Sequence, residues 1–66
     1  MAKSLKHDIK EAIELYRAHE AYENQCAKKY PIASEEYISC VKGAEYNRGL
    51  ADALQAAFEL IEEYIG

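Results

Sequence analysis

The sequence predicts an all-α fold, an antiparallel two-helix hairpin that dimerises into a four-helix bundle. Three observations predict it. The chain breaks at one place, around its single proline, Pro31. On either side of that break the apolar residues recur at helical spacing. At 66 residues, a chain buries only about 60% of its unfolded surface and calls for a disulfide, a metal or a second copy.

The break is the segment Lys29-Tyr30-Pro31-Ile32-Ala33-Ser34. Proline cannot continue a helix, and it disfavours helix at the residue before it. Ser34 then offers an N-cap hydroxyl, and Glu35 and Glu36 fall in the first turn, where the helix dipole favours carboxylates. Lys28 and Lys29 are expected in the last turn of the preceding helix, the end that favours cations, and Ser4 is a cap for its start. The single domain 1–66 therefore divides into helix 1 over about 4–29, a turn at 30–33, and helix 2 over about 34–65. At 1.5 Å per residue, the helices run about 38 Å and 46 Å. A connection this short makes them antiparallel neighbours.

Taking 100° per residue, Leu5, Ile9, Ala12, Ile13, Tyr16, Ala27 and Tyr30 share one face of helix 1. Cys40, Ala44, Asn47, Leu50, Ala51, Leu54, Ala57, Phe58, Ile61, Tyr64 and Ile65 form the stripe of helix 2. Both match a broad core-facing stripe better than a coiled-coil seam. Two helices alone leave such stripes half open, and twofold pairing of two hairpins is the commonest way to close them. The other way is a different protein covering the open side.

The remaining routes to stability have less support. Cys26 and Cys40 fall at similar heights on facing helices, which leaves a disulfide open. Met-Ala-Lys-Ser-Leu-Lys, however, has no apolar run of a secretory signal behind its charges. The expected compartment is the reducing cytoplasm, where two thiols are packing residues more often than a bridge. No pair among His7, His19, Cys26 and Cys40 has metal-ligand spacing. His7 and His19 are twelve residues apart, about 18 Å along a helix. No cofactor and no metal are expected, and no run approaches the roughly 18 apolar residues of a membrane span.

Charge divides the arms. The net charge is −4, which argues against general binding to nucleic acid or to a membrane surface. Residues 1–30 carry six Lys/Arg against five acids, whereas residues 31–66 carry two against seven. The halves are therefore +1 and −5, and helix 2 holds nearly all the acidity.

Four groups of residues are candidates for function. Gly43, Ala44, Asn47, Gly49 and Ala51 form a small-residue patch, although each glycine inside a helix costs about 1 kcal/mol relative to alanine. There Asn47 either sets register at a helix crossing or meets a ligand. The expected oligomer interface is Gly43, Asn47, Leu50, Leu54, Phe58 and Ile61. Glu45, Arg48 and Asp52 form a ladder in which one arginine can reach both acids. Lys3, Lys6, Lys10 and Arg17, with Lys28, make a basic stripe within about 60° of arc, a row that could follow a phosphate backbone. Glu11 and Glu14 flank that stripe, and no surface aromatic is interleaved with it. Of six tyrosines, Tyr16, Tyr30 and Tyr64 fit the inward faces. Tyr22, Tyr37 and Tyr46 lie off them, where tyrosine favours contact with another surface.

No nucleophile stands beside a base. Cys26 and His19 are seven residues apart, about 10 Å by helical rise, and a two-helix chain lacks the depth for an enclosed pocket. An enzyme is not expected. The expected function is that of a small acidic interaction protein, a regulator or inhibitor of the kind phages and mobile elements also carry. It would bind another protein through Tyr37, Tyr46 and Arg48 and through the acidic face of Asp52, Glu59, Glu62 and Glu63, which could compete for a basic groove. The alternative is a nucleic-acid-binding dimer using Lys3, Lys6, Lys10 and Arg17, for which ROP, an RNA-binding dimer of helical hairpins, is an architectural precedent without a shared motif. A third class is a small-molecule-binding oligomer with its cleft at Asn47.

Overall fold

The computed structural model describes residues 4–64. Two helices, α1 (Leu5–Ala27) and α2 (Glu35–Tyr64), pack against each other, and no strand occurs among the described residues. Both starts are capped as the serines imply. Ser4 Oγ accepts the His7 N–H at 3.1 Å, and Ser34 Oγ accepts the Tyr37 N–H at 3.1 Å. Asp8 lies in the first turn of α1, and Glu35 and Glu36 in that of α2, each carboxylate at the positive end of its helix dipole.

Helix α1 ends two residues before the expected boundary. The N–H groups of Lys29 and Tyr30 donate to the carbonyls of Cys26 and Ala27, at 3.0 and 3.2 Å. These are three-residue closures that tighten the chain out of the α-helix. Lys28 and Lys29 therefore sit past the last turn rather than in it. Tyr30, extrapolated onto the inward face, lies in the turn and is exposed, since Pro31 denies it helical backbone. The turn closes where Ser34 N–H donates to the Pro31 carbonyl at 3.1 Å. Ala33 just before it adopts φ 71°, a left-handed conformation in which Cβ crowds the following carbonyl.

The helices run antiparallel, as three contacts at successive levels show. Lys6 meets Glu62, Arg17 meets Asp52, and Glu23 lies over Gly43. Small side chains let the backbones approach: the buried apolar residues are Ile13, Ala27, Ala44 and Ala51, the last 0% exposed. No large side chain among the described residues is fully buried. One neighbouring helix covers only a narrow arc of its partner. Ile9, Ala12, Tyr16, Cys40, Asn47, Leu50, Leu54, Ala57, Phe58 and Ile61 are accordingly half-buried. Leu5 and Tyr64, also expected inside, are 66% and 76% exposed near the open end, and Ile65 lies outside the described residues. The hairpin is a plate of 47 × 23 × 12 Å, one helix layer thick.

Candidate functional site

The plate has two unlike sides. The first is marked by ion pairs between the helices. Lys6 Nζ reaches Glu62 Oε2 at 2.9 Å, and Arg17 Nη1 donates to Asp52 Oδ1 at 3.1 Å. Lys10, Glu14, Gln55 and Glu62 border a groove on this side, with Ile13 and Phe58 at its floor. By helical period Arg48, Asp52, Glu59 and Glu63 run along its α2 edge, all four exposed. The charge ladder is shorter than its spacing allows. Arg48 Nε stands 4.0 Å from Asp52 Oδ2, while Asp52 takes its closer partner, Arg17, from α1.

The second side is apolar over the half of the hairpin away from the turn. Rotating from the buried line Ala44–Ala51 away from Asp52, the α2 surface presents Leu50, Leu54, Ala57 and Ile61, with Tyr46 and Tyr64 at its edge. Rotating from Ile13 away from Arg17, the α1 surface presents Ala12 and Tyr16, with exposed Leu15 beyond. Tyr16 meets His19 edge to face, ring centroids 6.4 Å apart. No Lys, Arg, Asp or Glu falls on the α2 part of this side between Tyr46 and Ile61. On α1, Asp8 lies at its end, in the first helical turn.

The structure separates residues that the sequence grouped. Arg48, Asp52, Glu59, Glu62 and Glu63 belong to the charged side, and Tyr46 is turned to the edge of the apolar one. Tyr37 is half-buried beside the Ser34 cap. Lys6 and Arg17 of the basic stripe are paired with carboxylates of α2; Lys3 lies outside the described residues. Gly43 and Gly49 are also unlike. A Cβ on Gly43 would stand 3.0 Å from Glu23 Cδ, whereas one on Gly49 would meet nothing within 4 Å. Asn47 donates its side-chain N–H to the Gly43 carbonyl one turn back, at 2.8 Å, so the helix itself satisfies that amide donor.

Nearer the turn, Cys26 and Cys40 are free, half-buried thiols on facing helices. Each lies one turn beyond the Glu23–Gly43 contact. Partial burial pushes the Cys40 thiol above its ordinary value, and the charges of Cys26, Glu23 and Glu36 add to the shift. A hydrogen bond to Cys26 and that residue's charge raise the Tyr22 phenol. Neither shift lowers a nucleophile toward neutral pH. Among the described residues no group of three or more His, Cys, Asp and Glu is placed to hold a metal ion. No helix there is long and apolar enough to cross a membrane.

No family model, curated protein or solved structure matches the chain.

The cross-helix ion pairs are invisible to spacing within one helix, because each joins residues of α1 and α2. A signal was present: Lys6 and Glu62 each lie 28 residues from Ser34, and Arg17 and Asp52 lie 17 and 18 residues from it. Antiparallel packing brings such residues level with each other.

Proposed function

We propose that this protein works by binding another protein, as a homodimeric four-helix bundle that presents its charged sides outward. The observation that carries the reading is the division of the plate. One side holds Glu59 and Glu63 in solvent beside the Arg17–Asp52 pair, while the other is apolar and only half covered. A single helix layer is half of an ordinary domain, which needs a second layer to enclose a core. Pairing supplies that layer and leaves two acidic edges per dimer for a partner with a basic surface. Complementary charge then steers the encounter and excludes wrong partners. The nucleic-acid alternative gains no comparable support, because a phosphate would have to displace Glu62 from Lys6 and Asp52 from Arg17.

The test is capture from nuclease-treated host lysate on the immobilised protein, beside a Glu59→Lys/Glu63→Lys variant. The reading expects a saturable protein partner that the wild type retains and the charge-reversed form loses. Retention of RNA or DNA in untreated lysate, with no protein retained, would overturn it.

A further inference from the structure

We infer that a second copy of this chain covers the apolar side of the hairpin, seating on Ala12 and Tyr16 of α1 and on Leu50, Leu54, Ala57 and Ile61 of α2. The inference rests on the dimeric reading above and assigns that dimer its face.

Three observations select the occupant and the side. The first is area. The broad face measures 47 × 23 Å, on the order of 1,000 Å² in projection, and a stable interface takes about 800 Å² from each partner. The apolar half is only about half of that projection, so the interface takes in the more polar rim toward the turn, where Glu23 lies over Gly43, as well. It also has the usual anatomy of an apolar centre and a polar border.

The second is charge. The chain carries −4 overall, so two copies repel unless their charges are kept apart. Along α2 the apolar side has no ionisable carboxylate between Tyr46 and Ile61, and the acids Asp52, Glu59 and Glu62 sit on the other side or its edge. Two copies meeting apolar side to apolar side hold their acidic edges at the greatest distance the plate permits. Burying the charged side instead would desolvate Lys10 and the Lys6–Glu62 and Arg17–Asp52 pairs, a cost that the attraction within each pair does not repay.

The third is thickness. The plate is 12 Å deep, one helix across. Two plates stacked at the usual 8–10 Å between helix axes bring Leu50, Leu54, Ala57 and Ile61 into a closed core. A twofold axis through the apolar side lets the same patch serve both copies, as a self-complementary interface requires.

The test places one added carboxylate on either side of a single helical step. Ala57→Glu puts it at the centre of the apolar side. Ala56→Glu, one residue earlier and rotated by 100°, puts it in solvent. Both are read by sedimentation equilibrium, with helicity checked by circular dichroism. The inference expects a dimeric wild type, an Ala56→Glu variant with dimer affinity unchanged within about twofold, and a folded Ala57→Glu variant weakened about a hundredfold or more, because each copy would bury an unpaired charge. A dimeric wild type with Ala57→Glu equally dimeric overturns the face and leaves the dimer standing. A monomeric wild type overturns the dimer itself. If Ala57→Glu fails to fold, contacts between isotope-labelled and unlabelled wild-type copies, read as intermolecular methyl NOEs in the mixed dimer, decide. Contacts at Leu50, Leu54 and Ile61 support the inference; contacts confined to Val41 and Leu60 refute it.

Discussion

Replacing Gly49 by alanine should stabilise this protein, and by nearly the whole intrinsic difference between the two residues. Gly49 lies well inside α2, where glycine costs about 1 kcal/mol relative to alanine through backbone entropy. A Cβ there meets nothing within 4 Å, so no clash opposes the gain. About 1 kcal/mol raises the unfolding midpoint of a chain this size by about 4–8 °C. Gly43→Ala has the same intrinsic gain but brings its Cβ to 3.0 Å from Glu23 Cδ and 3.3 Å from Glu23 Cγ. The Glu23 side chain must move aside before any of the gain appears. The midpoint should therefore rise distinctly less for Gly43→Ala than for Gly49→Ala, or not at all. Thermal unfolding followed at 222 nm, at one fixed protein concentration, measures both. A Gly49→Ala variant no more stable than wild type would refute the reasoning, because it would mean that something packs against the Gly49 backbone.

Ala51→Leu should destabilise by about 1–3 kcal/mol, since it overpacks a position with 0% exposure between the helices; urea unfolding at constant m-value reads this. At the turn, Ser34→Ala should cost about 1 kcal/mol by leaving the Tyr37 N–H without its cap. Ala33→Gly should instead stabilise, because it relieves the φ of 71° by about 1–2 kcal/mol and loses part of that to the freer unfolded chain. Both are measured by the same melts. The raised Cys40 thiol predicts a fall in stability as pH climbs above the ordinary thiol range. The folded state holds that proton more tightly than the unfolded one, so the contribution is complete at neutral pH and is lost as the pH rises through the folded value. Cys40→Ala should flatten the alkaline limb of a stability–pH curve, and alkylation of Cys40 should be slower than that of an unstructured cysteine.

The hairpin was legible because its determinants are local. Pro31, Ser4 and Ser34 act within three or four residues of themselves, and the apolar spacing needs only the helical period. What was illegible depends on the other helix or on backbone beyond the period. The periodic extrapolation carried Tyr30 inward because a wheel has no end, whereas the three-residue closures at Cys26 and Ala27 do end the helix. The partners of the basic stripe are hidden in the sequence because its acids, Glu62 and Asp52, lie 56 and 35 residues away from Lys6 and Arg17. Such pairs appear only once the register is known. Gly43 and Gly49 look alike in sequence and differ only in what the opposite helix places over them. The left-handed Ala33 had no signal, since glycine or asparagine would be expected there.

The claim on which the rest depends is that one hairpin is half of the folded unit. Its most direct measurement is thermal unfolding across about a hundredfold range of protein concentration, because a state that unfolds on dissociation melts higher when more concentrated. For a dimer the midpoint climbs steadily with concentration, together with a sedimenting species twice the 7.5 kDa chain mass. A helical 7.5 kDa species that melts cooperatively at the same temperature throughout would contradict it.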